Sequence, residues 1–262
     1  MFKSLLLAKI LIRKLTKEKF FFILIFLGVL FLQSLHLYFS DTFKEFYLKL
    51  LNIENVENLA LRSGYFFIDL FSVLILFGIV ISFLSFWTDK KTLYNFLCLP
   101  LNKTHYFLGY LIAIFLCIMS VIGVFYGILA GIVFFHKYFH FNFMSIFFST
   151  ILLLLFSVFF SFLYLVLPKF LSYIFLFLIF LGSFQTESLA LKFSEAPSFF
   201  KMSFFIFYIF SPRFHSLVYF SCFPDSLIYQ NLKLFIILHS LCSIILYSFL
   251  TFIIFRKRIS NL

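Results

Sequence analysis

The chain has 262 residues, of which 64% are hydrophobic and only 12% charged, with 49 Phe; a soluble domain is about half apolar and about a quarter charged. Too little polar surface remains to enclose a soluble core, so the composition excludes a soluble domain and points to an all-α integral membrane protein. A net charge of +11 then reflects Lys and Arg retained on the cytoplasmic side rather than nucleic-acid binding, and the scattered Cys98, Cys117, Cys222 and Cys242 have no CxxC or paired spacing for a disulfide framework or zinc site.

Residues 1–19 are read as a cytoplasmic interfacial helix. Leu5, Ala8, Ile12 and Leu15 share one helical face, and Lys9, Arg13 and Lys17 another. A basic amphipathic helix of this kind lies on the inner leaflet, either as a positive-inside anchor or as a docking surface for a partner. It is not read as a removable signal peptide: the basic region is long, and no A-x-A-like site follows. The first span is predicted over Phe20–Phe39. In the outer loop, Phe43, Phe46, Tyr47, Leu50 and Leu51 keep helical spacing, and Thr42 with Glu45 reads as a capping box.

The second span is predicted over Tyr65–Trp87. Asp69 lies inside it, and an acid within a span is a functional candidate by default. Two uses stay open: a place on a transport path, or a water-accessible position near the outer interface within reach of Arg62 or Lys49. The third span is predicted over Phe107–Phe135. Its Gly123, Gly127 and Gly131 recur every four residues, a stripe that admits close helix packing within the subunit or against a second one. The fourth and fifth spans, Phe143–Leu167 and the short Phe170–Phe184, are separated by a tight turn at Pro168-Lys169. The sixth is predicted over Leu232–Phe255.

Residues 185–231 form an outer region with two apolar runs interrupted by Ser211-Pro212-Arg213. Neither run is long enough to cross alone, and a re-entrant segment between spans five and six fits better than a seventh, broken span. Charge decides: six spans put the N-terminal basic residues, Lys90, Lys91, Lys103, Lys169 and the Arg256-Lys257-Arg258 cluster on one side, whereas a seventh would move that cluster outside. The chain is thus a single transmembrane domain over 1–262, multi-pass in the cytoplasmic (inner) membrane, with both termini cytoplasmic.

Residues 88–106, cytoplasmic in this topology, interrupt the apolar sequence. Trp87 suits an interfacial anchor. Thr88 or Asp89 caps a short helix, Leu93, Phe96 and Leu97 share a face, and Leu99 before Pro100 stops it. Thr104 is a suitable cap for the third span. An amphipathic helix of this kind fits a groove on another protein, or rests its Leu and Phe on lipid.

The stretch resembles the loop between spans two and three of ABC type-2 exporter permeases. The matching residues are Thr92, Leu93, Leu97, Leu99, Pro100, Asn102, Lys103 and Gly109. Lys91 stands where Gly often precedes the Thr, Tyr110 where Lys often follows the Gly, and Asp89 alone supplies acidic character. The resemblance covers about twenty residues in motif and the whole chain in architecture. It implies a coupling helix, with Asp89, Lys91, Thr92, Leu93, Phe96, Leu97, Leu99, Pro100 and Lys103 contacting an ABC ATP-binding subunit. It also implies a second permease subunit, identical or similar, and alternating access driven by the partner's ATP and Mg. The chain has no G-x-x-x-x-G-K-[ST] phosphate loop, so no cofactor is expected on it and it is not expected to be an enzyme.

Two other classes stay in view. A membrane enzyme would use His136 and His140, an HxxxH pair able to face one metal. An ion-driven carrier would use intramembrane charge, for which Asp69 is the clear candidate.

Overall fold

The computed structural model describes residues 2–15, 19–38, 56–88, 102–135, 141–183, 212–223 and 230–260. These residues form eight helices: α1 (Phe2–Leu15), α2 (Lys19–Tyr38), α3 (Val56–Thr88), α4 (Lys103–Phe135), α5 (Phe143–Val166), α6 (Lys169–Ser183), α7 (Phe214–Cys222) and α8 (Gln230–Ser260). No strand occurs among them.

Six helices stand where the six apolar segments predict them. Four, within α3, α4, α5 and α8, contain stretches long and apolar enough to cross a membrane: Leu61–Ser85, Lys103–Phe135, Phe143–Val166 and Lys233–Lys257. The chain is therefore a multi-pass membrane protein by composition and helix length. α2 has 20 residues and α6 has 15, or about 30 Å and 22 Å at the helical rise.

Local chemistry sets several boundaries. The Asn142 side chain caps α5, accepting from the Met144 N–H at 2.9 Å. α5 ends as Leu167, extended before Pro168, and the Pro168 carbonyl accepts from the Ser172 N–H at 3.0 Å to open α6. The turn expected at Pro168-Lys169 is present. α4 begins one turn earlier than expected. The Asn102 carbonyl accepts from the His105 N–H at 2.8 Å, so Thr104 lies inside the first turn instead of capping it.

α5 is the hub. It packs against α3, α4, α6, α7 and α8. Ser145, Ser149, Ser157 and Ser161 are all buried along it. Small side chains at spacings of four let neighbouring helices approach where no hydrophobic force separates protein from lipid. Outward-facing positions on α2, α4 and α8, such as Phe26, Phe115, Met119, Ile245 and Phe249, are exposed apolar residues, as a lipid-facing surface requires.

α1 packs on α4 and does not lie apart on a surface. Ser4, Leu7, Ala8, Leu11 and Leu15 are buried, while Leu5 and Leu6 are exposed. The buried face is therefore rotated by roughly 60° from the one expected, at 100° per residue. The cause is a second apolar stripe, Leu7 and Leu11, that fits α4 more closely. At the other end of the chain, Phe255 of α8 lies 6.2 Å from Phe107 of α4 between ring centroids. Leu7 packs beside Gly109, so α1 and the C-terminal part of α8 lie at the same end of the bundle.

α7 is short and buried against α5. Its Phe214 meets Phe156 and Phe159 at 5.9 and 6.0 Å between ring centroids. Its Phe220 stacks on Phe148 at 5.4 Å, two turns nearer the start of α5. α7 thus runs antiparallel to α5, from the middle of that helix toward its N-terminal end.

Candidate functional site

Three helices meet at Asp69. The residue sits in the interior of α3 and is 2% exposed, so the expected water-accessible position is corrected to a fully enclosed one. The Ser149 hydroxyl of α5 donates to Asp69 Oδ1 at 2.5 Å. The Ser221 hydroxyl of α7 donates to Asp69 Oδ2. Tyr126 of α4 shares a hydrogen bond of 2.6 Å with Ser149, and Tyr65 stacks on Tyr126 at 5.9 Å. Tyr65 Oη in turn accepts from the Asn142 N–H at 3.1 Å. A carboxylate and a run of hydroxyls therefore link α3, α4, α5 and α7 in the half of the bundle remote from α1.

Such a cluster is costly in an apolar interior unless its members satisfy one another. Ser221 has a second acceptor within reach, the Val218 carbonyl at 2.9 Å. The cation expected near Asp69 is engaged elsewhere: Arg62 lies over the Phe223 ring at 4.5 Å from its centroid. Lys233 lies over Phe220 at 5.7 Å and Arg213 over Phe235 at 4.9 Å. These cation–π contacts fasten α7 to α3 and α8. Lys49 lies outside the described residues.

A second Tyr–Ser pair joins α4 to α5 at the opposite end, where Tyr110 Oη bonds the Ser161 hydroxyl. Beside it, α1 crosses the first turns of α4. A Cβ built on Gly109 would lie 2.8 Å from Leu7 Cβ and 3.0 Å from the Ser4 carbonyl oxygen. Glycine is required there because the two backbones nearly touch.

The other expected site residues fall as follows. Lys103 opens α4 and is partly buried. Asp89, Lys91, Thr92, Leu93, Phe96, Leu97, Leu99 and Pro100 lie outside the described residues, as do the outer-loop helix, residues 184–211, His136 and His140. Among the described residues, no three His, Cys, Asp or Glu side chains converge as metal ligands. Gly123, Gly127 and Gly131 have no described atom within 4 Å of an added Cβ, so the stripe faces outward and packs nothing within the described chain.

The hydroxyl partners of Asp69 were not anticipated from sequence. The available signal was the spacing of Ser145, Ser149, Ser157 and Ser161 in an otherwise apolar segment. No family model matches the chain, and no curated protein or solved structure matches it.

Proposed function

We propose that this chain is the permease subunit of an ATP-driven ABC exporter of the type-2 design, working beside a separate ATP-binding subunit and a second permease. The observation that carries this reading is the seating of α1 on the first turns of α4, directly after residues 88–106. A helix locked to the start of a span makes that end of the bundle a rigid lever. A push on the preceding loop would then move α4 and α1 together and, through Tyr110 and Ser161, the hub α5. ATP binding on the partner shifts such a machine only if the partner grips one state more tightly than the other.

Three further features agree. Counted with the four long apolar helices, α2 and α6 would bring the crossings to six. α1 and the end of α8 share one end of the bundle, as an even number of crossings requires, and the basic residues assign that end to the cytoplasm. The half-depth run of α7 fits the rising limb of a re-entrant segment.

The test is purification of the tagged chain from native membranes, with ATP hydrolysis assayed in the purified complex. Wild type is expected to carry a soluble ATPase, and Leu97→Asp or Leu99→Asp to lose it while the permease still folds. An ATPase retained by both variants would refute the coupling-helix assignment.

A further inference from the structure

We propose that Asp69 is an exchangeable proton site, loaded from the end of the bundle that bears Asn142. The proposal is independent of the exporter reading.

The first ground is the hydrogen-bond arrangement around the carboxyl. A serine hydroxyl has one hydrogen to give and can also accept, and its rotor turns to suit its partners. With Asp69 ionised, Tyr126 donates to Ser149, Ser149 donates to Oδ1, and Ser221 donates to Oδ2. With Asp69 protonated on Oδ2, its new O–H donates to Ser221 Oγ, and the Ser221 hydrogen turns to the Val218 carbonyl at 2.9 Å. One proton moves from a hydronium ion onto Oδ2, leaving water, and one hydroxyl rotates. No donor is stranded in either state.

The second ground is spacing. The ligand set is all hard oxygen, which would also suit a small metal cation. Ser149 Oγ and Asp69 Oδ1, however, stand 2.5 Å apart. That distance is a hydrogen bond, with the Ser149 hydrogen directed at Oδ1, and a metal cation is the competing occupant that the sodium arm of the test separates.

The third ground is a polar route. From Asn142 at the head of α5, the same helix presents Ser145 and then Ser149, with the Tyr65 hydroxyl bonded to the Asn142 N–H. The Ser145 hydroxyl is buried and has no hydrogen-bond partner among the described residues. It lies one turn from Ser149, in line between the bundle end and the carboxyl. The Ser72 hydroxyl, one turn beyond Asp69 on α3, is likewise buried and unpartnered among the described residues. Ser4 on α1 and Ser240 on α8 are unpartnered among the described residues too; what sets Ser145 apart is its place between Asn142 and Ser149 on α5.

The titratable and charged groups facing the site are Tyr65 and Arg62 on α3, Tyr126 on α4 and Cys222 on α7. α5 contributes only hydroxyls. The Asp69–Ser221 bond persists on loading with its direction reversed, so α7 stays tied to α3 in both states.

The test uses the full chain in proteoliposomes and dicyclohexylcarbodiimide, an apolar reagent that modifies protonated carboxyls. The acid proton passes to one nitrogen, the carboxylate oxygen bonds to the central carbon, and rearrangement leaves a stable acylurea that mass spectrometry locates. Asp69 is expected to be labelled, with labelling falling about tenfold for each pH unit above the midpoint, as one-proton occupancy requires. It should follow the pH of the compartment facing Asn142 and ignore sodium at fixed pH, and Asp69→Asn should remove it. Absent or pH-independent labelling of the folded wild type would overturn the proposal. So would suppression by sodium, which assigns a metal cation instead, or labelling that follows the pH on the α1 side.

Discussion

Leu7 of α1 and Gly109 of α4 are in direct backbone-level contact, with 2.8 Å between Leu7 Cβ and the point where a Gly109 side chain would begin. The nearer atoms are a Cβ and a carbonyl oxygen, neither of which can swing aside. Gly109→Ala is therefore expected to lift α1 from α4 and cost about 1–3 kcal/mol, the usual range for overpacking. Lower thermal stability in detergent and faster tryptic cleavage within α1 would register it. Unchanged melting and cleavage would show that the two helices are not docked.

Gly127 offers the opposite case. Nothing described lies within 4 Å of an added Cβ, and alanine is the better helix former by roughly 0.5–1 kcal/mol. Gly127→Ala should leave the melting temperature of the single subunit unchanged or raise it. Gly127→Leu then tests pairing. If the second permease subunit seats on this face, chemical cross-linking recovers fewer dimers while the subunit's own melting holds. A destabilised single subunit would place a neighbour against the stripe instead.

Ser149 serves both Asp69 and Tyr126. Ser149→Ala removes two bonds together and is expected to cost about 1–2 kcal/mol. Tyr126→Phe should cost closer to 0.6 kcal/mol, typical of an interhelical bond in a membrane. The double variant should fall short of the sum by at least about 0.5 kcal/mol, because the two changes remove a shared bond. Unfolding titrations of the four proteins complete the cycle. Strict additivity would mean that the Tyr126–Ser149 bond contributes nothing.

Orientation is tested through Cys98. Cys117 and Cys222 are buried, and Cys242 lies in the interior of the candidate span Lys233–Lys257, beyond a charged reagent's reach. A membrane-impermeant maleimide is therefore expected to label Cys98 in inverted vesicles and not in intact cells. Labelling in intact cells would put residues 88–106 outside and exclude their contact with a cytoplasmic ATPase.

The positions of the six apolar segments were readable because lipid imposes its requirement on each segment separately. The fourth ends within a residue of α5, and the fifth is displaced by one residue from α6. The second was read from Tyr65, whereas α3 begins at Val56, because a polar extension such as Val56–Gly64 carries no apolar signal. The face of α1 was misjudged for a related reason. Periodicity offered two overlapping apolar stripes, and only the surface of α4 chooses between them. The partners of Asp69 were out of reach altogether. Ser149 and Ser221 lie 80 and 152 residues away in sequence, and one helix's spacing says nothing about which helix lies beside it. Arg62 was the near-sequence candidate, but the ring of Phe223, the residue that ends α7, holds it instead.

The serines of α5 also bear on biosynthesis. α5 leaves the ribosome before α7 and α8, so the faces those two helices later cover first meet bare lipid. Ser157 and Ser161 turn back onto the carbonyls of Leu153 and Ser157, a bond each can make within its own helix. That half of the segment is self-sufficient at the moment of insertion. Ser149 instead bonds Asp69 and Tyr126 on α3 and α4, which leave the ribosome earlier, so the N-terminal half of α5 is released onto helices already in place.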